Sequence, residues 1–128
     1  MTPTRRGLAA ILLATSAGPA LAQGTPARRG PNGGLVAIAD GHPIELLLAG
    51  TTLTLFLSGE DGRPSPSARA SGRATVQAGG QTASVTLTPA EPNRLVGTLA
   101  APLAAGARVV FNGTLGDGHR VTARYVLE

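Results

Sequence analysis

From Leu35 onward the chain breaks into short runs, β-branched or with apolar residues at every second position, and Gly, Pro, Asp and Asn cut these runs apart. Side chains alternate between the two faces of a strand, so runs of this kind are half-buried β-strands, and no window carries the 3.6-residue period of a helix. The turns make the reading testable, because a short hairpin loop dictates which residues stand opposite each other. Around Gly79-Gly80, Val76 faces Ala83 and Ala74 faces Val85, while Thr75, Gln77 and Arg73 meet Ser84, Thr82 and Thr86. Around Gly50-Thr51, Leu48, Leu46 and Ile44 meet Leu53, Leu55 and Leu57, leaving Glu45, Leu47, Thr52, Thr54 and Phe56 on the other side. A three-residue loop at Gly116-Asp117-Gly118 puts Leu115, Gly113, Phe111 and Val109 on one face with Val121, Ala123, Tyr125 and Leu127. Arg108, Asn112, Thr114, Arg120, Thr122 and Arg124 then share the opposite face.

Asp40-Gly41 is a strong signal for a primed hairpin turn, so Leu35 to Ala39 and the next two strands read as a meander. With Leu95 to Leu99 added, about eight strands are expected, and Gly59 to Ser67 and Thr88 to Asn93 are Pro-containing loops. The predicted fold is all-β, a small antiparallel β-sandwich of immunoglobulin-like type, with a small barrel as the alternative. Pro43 cannot donate to a ladder, so the early strands are expected to guard a sheet edge, and a monomer or a weak homodimer through an uncovered edge follows.

The first 22 residues read as a leader. Arg5 and Arg6 form a positive start, Gly7 to Ala17 is almost wholly apolar, and Ala20-Leu21-Ala22 is the small-x-small pattern before a cleavage point between Ala22 and Gln23. The apolar run is about half the roughly 20 residues of a membrane span. The expected organisation is therefore a signal peptide over 1–22, a flexible Gly, Pro and Arg-rich lead-in over 23–33, and one β-sandwich domain over 34–128, exported to a bacterial periplasm with no membrane span in the mature protein. Thr4-Arg5-Arg6-Gly7-Leu8 also resembles a twin-arginine leader; the general secretory route is the preferred reading.

Removing the leader takes away two of the eleven arginines and lowers the formal charge from +4 to +2. That charge, with only Phe56, Phe111 and Tyr125 as aromatic residues, argues against a nucleic-acid partner. The chain has no Cys, hence no disulfide framework and no thiolate metal site, and it has no Lys and no nucleophile elbow, so no enzyme is expected. Ligand types converge at one place. Extending the Leu48–Leu53 register puts His42 opposite Gly59, so His42 and the nearby Asp40 meet the loop carrying Glu60 and Asp61, a set workable for copper or zinc. Glu45 points to the other face from His42. His119 reads as a surface histidine at a different turn, and Arg108, Arg120 and Arg124 form a candidate interaction face for an anionic partner.

The segment Gly30-Pro31-Asn32-Gly33-Gly34-Leu35-Val36, followed by Asp40-Gly41-His42 and Ile44-Glu45-Leu46, resembles small exported proteobacterial proteins. It is also similar to segments near the N-termini of periplasmic adaptor proteins of heavy-metal efflux systems. The similarity continues through Leu53-Thr54-Leu55-Phe56-Leu57, Glu60-Asp61-Gly62-Arg63-Pro64 and Gly79-Gly80. The resemblance implies a β-sandwich exposed to periplasmic metal, with His42, Glu45 and Asp61 on the recurrent positions of the pattern. A second histidine beside His42 and another in the loop are often present in that pattern; here Gly41 and Glu60 stand there. Two functions follow as expectations: an accessory protein that binds metal or docks onto efflux machinery, or an envelope interaction module presenting Leu47, Phe56 and the arginine face.

Overall fold

The computed structural model describes residues 28–128. The leader, its Ala22–Gln23 cleavage point and residues 23–27 of the lead-in lie outside the described residues. Nine strands and, among the described residues, no helix make up the fold: β1 (Arg28–Arg29), β2 (Leu35–Ala39), β3 (His42–Ala49), β4 (Thr52–Leu57), β5 (Ser71–Ala78), β6 (Gln81–Ala90), β7 (Arg94–Thr98), β8 (Arg108–Thr114) and β9 (Arg120–Val126). All neighbouring strands are antiparallel.

The hairpins take the registers that the alternation of apolar and polar residues predicts. Leu48 pairs with Leu53 and Ile44 with Leu57, Val76 with Ala83, and Phe111 with Ala123. The Leu115 amide donates to the His119 carbonyl across the Gly116–Gly118 loop. Asp40 and Gly41 have φ of 51° and 81°, and Gly79 and Gly80 have 59° and 80°. Two successive residues at positive φ define the turn whose twist matches that of the strands it joins.

The expected division into two sheets gives way to a single sheet, in the order β9-β8-β5-β6-β7-β4-β3-β2-β1, curled into a half-barrel. Strand β6 carries the ladder round the bend. Its first part, Gln81 to Leu87, pairs with β5, and its last part, Thr88 to Ala90, pairs with β7. The curl brings β9 against β2 at the two ends of the order. The ninth strand is Arg28–Arg29, which pairs with Val36 and Leu35; it lies within the segment read as a lead-in. The early strands do form one end of the sheet order, but Pro43 itself is not on the edge. It stands in β3, which lies inside the sheet between β2 and β4, beyond the Ile44–Leu57 pair where the ladder to β4 ends.

Inward-facing rows fill the half-barrel. Ile44, Leu53, Leu55, Leu57, Leu95, Val109 and Phe111 are fully buried, and complete burial of such side chains is worth about 1.5–3 kcal/mol each. Gly72 and Gly113 pair across β5 and β8, and a Cβ on either would run into the Phe111 ring. The glycines thus make room for the largest fully buried side chain. The buried Tyr125 hydroxyl donates to the Ile44 carbonyl at 2.8 Å, joining β9 to β3 across the interior. Desolvation pushes its pKa up, with Glu45 adding to the effect.

Candidate metal centre

The strand order decides what meets at the mouth of the half-barrel. In the order β9-β8-β5-β6-β7-β4-β3, strands β9 and β3 run in the same direction, so both begin at the same end. His42 opens β3 on the inward row of Ile44 and Leu46, and His119, opposite Leu115, precedes β9 on the inward row of Val121 and Ala123. The loop after β4 reaches the same end and supplies Glu60. One donor atom from each of His42, Glu60 and His119 lies within 4.8 Å of the other two.

His42 is 2% exposed. Its Nδ1 lies 3.1 Å from the Ser58 carbonyl oxygen, and a carbonyl can only accept, so Nδ1 carries the proton and Nε2 is left with a lone pair. That Nε2 is buried and has no hydrogen-bond partner, a state that native structures rarely tolerate without a ligand or water. It faces Glu60 Oε2 at 3.9 Å, and the ring packs against that of His119 with centroids 5.2 Å apart and planes at 53°.

His119 is half-exposed and held by Asp117. One carboxylate oxygen accepts the His119 backbone N–H at 3.0 Å and the other lies 2.9 Å from Nδ1. The contact raises the His119 pKa, chiefly through the hydrogen bond to the Asp117 side chain, and Glu60 and Asp40 add through-space attraction. Asp117 is held below the ordinary carboxylate range by the His119 backbone N–H and then by the ring. When the ring is neutral, Asp117 keeps the proton on Nδ1 and leaves Nε2 to donate, the arrangement in which carboxylates orient metal-binding histidines.

A tetrahedral ion with bonds of about 2.0–2.2 Å requires donors roughly 3.3 Å apart. His42 is fixed by burial and by Ser58, whereas Glu60, 66% exposed, and His119 have the freedom to close the remaining distance. Two imidazoles and one carboxylate suit zinc or copper(II) and leave a further position for water.

Of the residues expected at this site, His42 and Glu60 come together as the register places them. Asp40 and Asp61 stand outside the group: Asp40 occupies the first position of the β2–β3 turn, and Asp61 accepts the Arg63 amide at 2.9 Å in a local turn. His119, expected to be an ordinary surface histidine, is the third member. Its inward parity was readable from the Leu115–His119 register, but its neighbour was not, because that depends on the curl.

Glu45 does different work. Buried to 4% exposure, its carboxylate accepts the Gly34 amide at 2.7 Å, the Asn32 amide at 3.0 Å and the Asn32 side-chain amide at 3.1 Å. A Cβ on Gly30 would strike this carboxyl and one on Gly34 would strike the Leu46 carbonyl. The Gly30–Gly34 pattern and Glu45 are therefore one structural unit, a turn wrapped round a carboxylate. Comparison with family models, with curated proteins and with solved structures gives no match, so the residues themselves carry the reading of the site.

Proposed function

We propose that this chain is an exported, non-enzymatic periplasmic accessory protein that binds a transition metal, zinc or copper, through His42, Glu60 and His119. A role beside metal-efflux machinery fits the resemblance of the Gly30–Glu45 segment to efflux adaptors. The observation that carries the metal reading is the buried, unpartnered Nε2 of His42, set by Ser58 to offer its lone pair and facing Glu60 beside His119. Calorimetric titration of the protein from Gln23 to Glu128 tests it. The expected result is one Zn²⁺ or Cu²⁺ per chain with the His42 ring resonances shifted; no heat and unmoved His42 resonances for either ion would sink it.

One observation favours a second reading, an envelope interaction module built on the same curled sheet. The outward rows of β5, β8 and β9 carry Arg73, Arg108, Arg120 and Arg124, all exposed, among Ser, Thr, Asn and Gln with Val110 and Val126, and without a carboxylate. Such a face would attract an anionic partner. Leu47 and Phe56 contribute less than expected, each being partly covered, while Ile38 and Val126 are the exposed large apolar residues among those described. Recovery of one envelope protein from a periplasmic extract, in the presence of chelator and abolished by reversing Arg120 and Arg124 to Glu, supports the second reading.

A further inference from the structure

The three ligands do not come from one part of the ladder. His42 begins β3 and Glu60 follows its neighbour β4, whereas His119 begins β9, with five strands between β9 and β3 in the sheet order. No ladder hydrogen bonds join β9 to β2, so the half-barrel has a seam there, closed by packing. At the far end of the seam, Arg29 of β1 meets Glu128, just beyond β9, at 2.7 Å, but both side chains are about half-exposed and such a pair contributes little. Inside, the Tyr125 hydroxyl reaches the Ile44 carbonyl. At the mouth, the two sides meet through the rings of His42 and His119.

We propose that an ion held by His42, Glu60 and His119 clasps this seam, tying the start of β9 to the start of β3, so that metal occupancy and closure of the curled sheet form one equilibrium. The inference rests on the metal reading above and deepens it. A small domain gains most from a cross-link between elements distant along the ladder, and this chain, lacking Cys, cannot make one from sulfur. His42 supplies the rigid half of the clasp. His119, half-exposed and oriented by Asp117, supplies the half on the other side of the seam.

Hydrogen exchange with and without Zn²⁺, run beside calorimetry on the protein from Gln23 to Glu128, tests the clasp. With free Zn²⁺ at about 100 times its Kd, an opening that must first release the ion becomes roughly 100-fold rarer. Amides of β9 and of β2–β3 whose exchange proceeds by opening of the seam should slow by that factor. In His119→Ala the two remaining ligands lie on the same side of the seam, so the metal-dependent slowing in β9, read as the difference between that variant with and without Zn²⁺, should vanish. One-to-one Zn²⁺ binding with unchanged exchange in β9 overturns the clasp and leaves the metal site standing. Absence of any binding overturns both.

Discussion

At the scale of single residues, His42 and Glu45 show how two buried polar groups on opposite faces of one strand acquire different roles. Glu45 has both carboxylate oxygens engaged by the Gly30–Gly34 turn, whereas His42 has one nitrogen engaged and one open. Glu45→Ala should lower stability by about 1–3 kcal/mol, the range for stranding buried donors. Urea unfolding measures that loss, and metal affinity should be unchanged. The His119–Asp117 pair sets the pH behaviour. Because the His119 pKa is raised in the folded state, its contribution to stability is full below the unfolded value of about 6.5 and is lost as pH rises through the raised value. Asp117, with a lowered pKa, contributes above its ordinary range and loses that contribution as pH falls through the lowered value. Metal binding has the reverse dependence on His119, since the ion needs the neutral ring. Zn²⁺ affinity should therefore begin to fall at a higher pH than an ordinary imidazole would dictate, and Asp117→Asn should move that onset downward in a pH series of titrations.

Among the elements, the pairing of β5 with β8 depends on two residues without side chains. The Phe111 ring occupies the space above Gly72 and Gly113, and a Cβ at Gly113 would also press on the Ser71 carbonyl. Gly113→Ala should therefore overpack the core and destabilise by about 1–3 kcal/mol, read from the unfolding midpoint. A hydrogen bond from one buried hydroxyl links β9 to β3 across the interior. Tyr125→Phe keeps the ring's packing but leaves the Ile44 carbonyl without its donor, with an expected loss of about 1–3 kcal/mol. Thermal unfolding of the two variants should show similar losses, although one acts by crowding and the other by an unmade bond.

For the whole molecule, a metal that binds only the folded chain adds stability set by its concentration. At free Zn²⁺ about 100 times Kd the gain is roughly 2.7 kcal/mol. For a domain of this size that corresponds to a rise in Tm of about 10 °C or more. Scanning calorimetry across a Zn²⁺ series should show the midpoint climbing with the logarithm of concentration, and His119→Ala should flatten the slope.

Most strands and the registers of the hairpins were legible in the sequence, because alternation and turn chemistry are local: Gly79-Gly80, Asp40-Gly41 and Gly116-Asp117-Gly118 each position residues only a few places apart. Thr88 to Ala90, read as the start of a Pro-containing loop, instead continues β6. The meeting of His42 with Glu60 was legible for the same reason, being one hairpin extended by two residues. Three features were not. The bend in β6 that makes one curled sheet, the wrapping of Gly30–Gly34 round Glu45, and the meeting of His119 with His42 all depend on which strands become neighbours after the chain has doubled back. That choice belongs to the packing of whole faces against one another, as in Phe111 over its glycines and Tyr125 against Ile44, and no local period in the sequence records it.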